Sequence, residues 1–310
     1  MKVISILSLL TVFLFQTSFS QNKNDDKEVL SQFKYTENIV YKTVNGKQLK
    51  LTIFFPKERK FKKTPIMLYT HGGGWAGGNM YAILKSNFLE TLKILTEKGI
   101  ACATVEYRML RPGVSSVADC VIDCKDAARF LVKNADKYGF DIEKMGLWGG
   151  SAGGHLSLLT ALANNEDFLG DESLKSVVPK FQCIASYYPL TTFFEPEKLL
   201  KGSKFTEPEF YERMLGGTLE EKKDYAHLLS PVEYVTKKSP PILLLHGDKD
   251  ITLPIMQSEY FLSVAKEKGA NVELFTVKDA GHSFSGKQIS PSMSEINQKA
   301  ADFILKHLSK

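Results

Sequence analysis

The sequence predicts an α/β chain with a mostly parallel central sheet covered by helices on both faces, and three observations predict it. Short apolar runs of strand length alternate with longer stretches of helical period, the pattern of βα units. An Asn45-Gly46 pair joins two alternating runs, 35–44 and 49–55, which marks an antiparallel hairpin at the start. About 275 residues follow a polar leader, enough for one large core without a second domain.

After the hairpin, strands are expected at 66–69, 101–107, 145–148, 181–187, 241–246 and 272–277. Helices fall between them at 82–98, 119–138, 152–164 and 255–268, and a last one at 292–308 closes the chain. Residues 190–234 break this rhythm. The segment is long, rich in aromatics such as Phe193, Phe205, Phe210 and Tyr211, and placed between two core strands, so it reads as a small cap insertion.

The first 20 residues have a short positive start, an apolar run over 3–15 and small residues at Ser18 and Ser20, which together read as a signal peptide cut before Gln21. The apolar run is shorter than the roughly 20 residues that span a bilayer. The expected product is secreted or periplasmic, without a stable membrane anchor. Residues 21–34 form the polar leader, expected to be disordered as far as residue 32, and 35–310 form the domain. Cleavage removes only Lys2 among charged residues and takes the formal charge from +5 to +4. Acidic and basic residues are interspersed, as in 220–224, which excludes a nucleic-acid stripe. Cys102, Cys120, Cys124 and Cys183 do not have zinc spacing, and a bridge between Cys120 and Cys124 is strained at four residues apart on a helix.

Gly149-Gly150-Ser151-Ala152-Gly153 carries the chemistry. It follows a buried-strand run and precedes a helical one, so Ser151 is placed on a sharp strand-to-helix turn as a candidate nucleophile. Upstream, His71-Gly72-Gly73-Gly74-Trp75 ends another apolar run. Its backbone N–H groups at Gly73 and Gly74, with that of Ala152, are the candidate oxyanion hole. A serine at its ordinary pKa needs a base, and the base needs an acid to fix its tautomer. His282 follows the 272–277 strand, while Asp250 follows the 241–246 strand, with Asp248 and then Asp279 as weaker choices for the acid. His71, His155 and His246 read as structural, and His227 and His307 have nothing convergent nearby. Trp75 and Tyr188 are candidate pocket walls.

These motifs, together with Glu106-Tyr107-Arg108 and His246-Gly247-Asp248-Lys249-Asp250, resemble the esterase and lipase branch of the α/β-hydrolase superfamily. The resemblance is to the acetyl-esterase and feruloyl-esterase-like group related to hormone-sensitive lipase. It implies an α/β-hydrolase fold and a triad at Ser151, Asp250 and His282, with no metal or organic cofactor. It also implies an ester substrate, which with the export signal suggests an acylated plant polysaccharide. A small-lipid esterase, a serine peptidase or amidohydrolase of the same fold, and a non-catalytic binding protein are the alternatives. Two departures stand out: Gly150 occupies the place before the nucleophile where many relatives of hormone-sensitive lipase carry an acid, and Tyr107-Arg108 is not followed by Pro-Glu.

Overall fold

The computed structural model describes residues 26–309. The signal-peptide expectation lies outside these residues. Eight strands form one sheet in the order β1-β2-β4-β3-β5-β6-β7-β8. They are β1 Lys34–Val44, β2 Lys47–Phe55, β3 Thr64–Thr70, β4 Ala101–Val105, β5 Phe140–Gly150, β6 Phe181–Tyr187, β7 Ile242–Gly247 and β8 Val272–Val277. The hairpin and its junction with β4 are antiparallel, and every other pairing is parallel. This is the α/β-hydrolase fold.

Strand alternation sorts the core into two layers. On β3, Ile66 and Leu68 face one layer, while Met67 and Tyr69 face the other. The first layer is covered by α2 Val117–Lys133, α3 Ala152–Leu162 and α4 Met256–Glu267; the second is covered by α1 Ser86–Glu97 and α5 Met293–Leu308. Helix α5 shows why these segments fold as they do. Ser292 and Glu295 close a capping box at its start, and Ile296, Ala300, Ile304 and Leu308 line up four residues apart and fully buried. Each of the large aliphatic side chains in that stripe contributes about 2 kcal/mol by leaving water.

Three boundaries differ from expectation for local reasons. Helix α2 stops at Asn134, and a separate turn Ala135–Tyr138 ends on Gly139 in the left-handed region. The stretch 82–98 divides into a 3-10 turn, Met80–Leu84, and α1. The end of the polar leader is ordered: residues 26–30 are helical, Leu30 is buried in the second layer, and Phe33 packs edge-on against Phe54. Three apolar side chains, Val29, Leu30 and Phe33, are a weak signal in a charged leader, yet they pack on the second layer and tie its end down.

Helix α2 also carries a buried ionic network. Lys42 of β1 sits between Asp123 and Asp126 at 2.8 and 2.7 Å, Arg129 pairs with Asp126, and Arg108 pairs with Asp123. Each charge has a partner, so removing one would strand another in the interior. All four cysteines are free thiols. Between β6 and β7 the chain forms short helices, among them Pro208–Leu215 and Lys223–Leu228. No helix among the described residues is long and apolar enough to cross a membrane.

Candidate active site

Ser151, Asp250 and His282 follow β5, β7 and β8, so the parallel sheet delivers all three to one edge, at the carboxyl ends of its strands. There the side chains form a continuous chain. His282 Nδ1 lies 2.7 Å from Asp250 Oδ2, and His282 Nε2 lies 2.9 Å from Ser151 Oγ. A carboxylate only accepts, so Nδ1 carries the proton, Nε2 is an acceptor, and the Ser151 hydroxyl donates to it. This is the arrangement of a serine-hydrolase active site: the ring is set to take the serine proton as the oxygen attacks.

The turn that presents Ser151 is strained as the sequence implies. Ser151 adopts φ 58° and ψ −124°, a conformation that non-glycine residues rarely hold, and its N–H bonds to Tyr187 O at 2.9 Å. At Gly150 a Cβ would meet the ends of two side chains, Phe88 Cζ at 2.8 Å and Tyr188 Oη at 2.9 Å, so a larger residue before the nucleophile requires those rings to shift. Across the cleft, Gly73 and Gly74 adopt φ +119° and +60°. No hydrogen bond among the described residues uses the N–H of Gly73, Gly74 or Ala152, so these donors remain available to an oxyanion. The cleft is a cavity of about 560 Å³ whose lining includes Gly73, Gly74, Ser151, Tyr188 and His282.

Asp250 is tightly held. Burial alone would raise its pKa, but hydrogen bonding to His246 and His282 and to the Leu253 N–H outweighs burial and keeps the carboxyl well below the usual range. Its Oδ1 accepts from the N–H groups of Thr252 and Leu253 at 2.8 and 2.9 Å. His246 is buried behind it, 3.5 Å from Oδ2, with Nε2 donating to Leu253 O at 2.7 Å and Nδ1 accepting from Ser258 Oγ at 2.7 Å. Asp248 lies outside the triad. Its carboxylate accepts from the Asp279 N–H at 2.7 Å and so fixes the start of the His282 loop.

The remaining buried histidines support the scaffold. His155 accepts from the Trp75 indole N–H at 3.1 Å and donates to Leu229 O at 2.8 Å, which ties the glycine loop to the segment between β6 and β7. His71 stacks on Tyr107 with ring centres 4.2 Å apart. Burial lowers both pKa values to about 4. Trp75 corrects one expectation. Its left-handed φ of 58° turns the indole into the core toward His155, so it is 2% exposed and forms no part of the cavity lining. Tyr188 does line the cavity, its ring 4.9 Å from that of His282. Sequence reasoning missed Tyr69, Lys85, Asn87, Phe88, Phe205 and Thr252 in the same lining. Thr252 lies two residues after the acid and Tyr69 two before the glycine loop, which is a usable signal. The residues at the start of α1 belong to no motif.

The chain is similar to several proteins named as esterases. It is 28% identical over 259 residues to a probable isoprenylcysteine alpha-carbonyl methylesterase of Oryza sativa, with 80% of this chain and 59% of that protein covered. It is 26% identical to the esterase LipC of Mycobacterium tuberculosis, with 76% of this chain and 56% of that protein covered. The chain thus spans under two thirds of the length of these curated relatives. Among solved structures, the propionate-bound esterase Est2 of Thermogutta terrifontis superposes with a TM-score of 0.71 at 25% identity, covering 88% of this chain and 94% of that one. A truncated carbohydrate esterase from gut microbiota shares the fold, with a TM-score of 0.72 at 23% identity and coverage of 89% and 97%. Residues 51–264 match the family model described as BD-FAE. With more than half its length in that match and a Ser151, His282, Asp250 site at the sheet edge, the chain belongs to the BD-FAE family of α/β-hydrolase-fold proteins.

Proposed function

We propose that this protein is an exported carboxylic-ester hydrolase that works through an acyl-enzyme and removes acyl groups from carbohydrate. The observation that carries the reading is the hydrogen-bonded chain from Asp250 through His282 to Ser151, opening on a cavity lined by Gly73 and Gly74 of the glycine loop. Ser151 Oγ bonds to the ester carbonyl carbon as its proton passes to His282 Nε2, and the carbonyl oxygen takes negative charge beside the N–H groups of Gly73, Gly74 and Ala152. The C–O bond to the alcohol then breaks, and His282 gives the alcohol its proton. Water repeats the sequence against the acyl-serine and releases the acid, restoring Ser151. Asp250 holds the ring and stabilises the imidazolium in both halves.

The resemblance of the motifs around Ser151, Gly73 and His282 to acetyl and feruloyl esterases supports the carbohydrate part of the reading, and the leader composition supports the export part. The small-lipid alternative draws its support from the apolar side chains Phe88 and Phe205 in the cavity wall. The test is turnover of acetylated xylan, methyl ferulate and p-nitrophenyl esters of two, four and eight carbons by the purified protein and by Ser151→Ala. Serine-dependent release from xylan or ferulate supports the proposal, while preference for the octanoate moves the assignment to lipids. Equal behaviour of the two proteins on every ester overturns it. Export is checked by the N-terminal mass of protein recovered outside the cytoplasm, which should begin at Gln21.

A further inference from the structure

We infer that the catalytic cavity selects esters that carry a carboxylate, and that Lys85 and Arg213 are the residues that read this charge. The inference rests on the ester-hydrolase reading and deepens it. Lys85 is the only lining residue of the cavity with a permanent charge, and no Asp or Glu lines it among the described residues. The carboxylate of the triad, Asp250, stands behind the His282 ring and is committed to it at 2.7 Å. Arg213 comes from a different part of the chain, the helix Pro208–Leu215. Its Nη2 donates to Gly74 O at 3.4 Å, and Gly74 is both a lining residue and a candidate oxyanion donor. Two cations therefore border the cavity from two elements, with no carboxylate in its wall to balance them.

Neither cation is committed to holding the fold. Arg213 is exposed and makes no ion pair among the described residues, although Glu209 and Glu212 lie on the same helix. Its bond to Gly74 O uses one N–H of a planar fork, and the rest of the fork keeps the geometry that suits a carboxylate. Lys85 already holds a carboxylate, that of Asp26, with Nζ 2.7 Å from Oδ1. The Lys85 side chain is 55% exposed, and an exposed pair of this kind contributes little to stability. A carboxylate on the substrate can take the place of Asp26 at small cost, so the end of the leader is an internal competitor for the same ammonium. A neutral ester gains nothing from either charge, whereas an anionic one meets opposite charge on arrival. On the alcohol, such a carboxylate is that of a uronic-acid carbohydrate; on the acyl arm, it is that of a dicarboxylic half-ester. Both present the same group to Lys85 and Arg213.

The experiment compares esters that differ only in charge: 3-acetoxybenzoate with 3-acetoxybenzamide for the alcohol side, and the mono-p-nitrophenyl ester of adipic acid with that of adipamic acid for the acyl side. Each kcat/KM is corrected for hydrolysis without enzyme. In at least one pair the anion should exceed its amide by about fivefold or more at about 20 mM salt, and that ratio should shrink toward one at about 0.5 M. The double variant Lys85→Gln, Arg213→Gln should bring the ratio close to one, and Asp26→Asn, which releases Lys85, should raise it. A ratio near one in both pairs for the wild type, a ratio that the double variant leaves unmoved, or one that Asp26→Asn lowers overturns the inference while leaving the hydrolase intact. Absence of Ser151-dependent turnover on all four esters overturns the parent reading instead.

Discussion

His282 and His155 use both ring nitrogens, yet one ring is free to take a second proton and the other is not. His155 accepts from an indole N–H and donates to a backbone carbonyl, two neutral groups that cannot exchange roles, in a fully buried site. His282 is bounded by a carboxylate and a hydroxyl, and its side chain is 21% exposed. A carboxylate stabilises the doubly protonated ring, and a hydroxyl can surrender its proton to it. The residue type is the same; the partners decide whether it is a strut or a base.

Replacing the charged partner tests this comparison most severely. Asp250→Asn keeps the shape but offers an N–H where the ring needs an acceptor, so His282 should turn to the wrong tautomer and lose its hold on the Ser151 proton. The expected loss in kcat is about 10,000-fold, with the fold intact by circular dichroism. A loss under tenfold would mean that His282 does not depend on Asp250.

The strut should fail in a different coordinate. His155→Phe removes the acceptor for the Trp75 N–H and the donor for Leu229 O in a fully buried site, and is expected to cost about 3 kcal/mol of stability by urea unfolding. Turnover by the protein that stays folded should change far less than with Asp250→Asn. Equal loss of stability and of kcat in both variants would erase the distinction between the two histidines.

Much of this site is legible in the sequence because tight turns are written in small residues. The runs around Ser151 and Gly73 place glycine where a Cβ would strike a neighbouring strand or loop, and each stands at the end of an apolar run, so spacing alone locates the sheet edge. Asp250 and His282 are legible for the same reason, as polar groups just past a strand. Trp75 misleads because the sequence shows an aromatic beside the loop but not the left-handed φ that turns it inward. Phe88, Asn87 and Phe205 are silent because their places depend on how α1 and the segment between β6 and β7 pack, a tertiary property with no local mark. The Lys42, Asp123, Asp126 network is silent too, since partners more than 80 residues apart leave no pattern.

The buried histidines also give the fold its own pH dependence. His71 and His155 have folded pKa values of about 4 against an ordinary 6.5, so the unfolded chain binds protons first as pH falls. The stabilisation from keeping them neutral is complete above about 6.5 and is lost progressively down to about 4. At pH 5 each should cost about 2 kcal/mol of unfolding free energy relative to pH 7.5. Urea titrations at the two values check this, and His155→Phe should recover half of the difference. An unchanged midpoint at pH 5 would show that neither ring is held neutral.

His246 sets the finest contrast, because it is a strut that touches the base's own partner. It is fully buried like His155, but its Nε2 donates to Leu253 O and lies 3.5 Å from the Asp250 oxygen that His282 uses. It thus fixes the turn whose N–H groups hold the other carboxylate oxygen, and adds a partial positive charge beside the first. His246→Gln loses the ring that spans from Ser258 to Leu253 without removing any reacting group. Asp250 should then sample positions that serve His282 less well, lowering kcat about tenfold with KM little changed, whereas Ser258→Ala, which leaves the Nε2–H in place, should lower it less. A fall in Tm with kcat unmoved would put His246 with His155 as support for the fold alone.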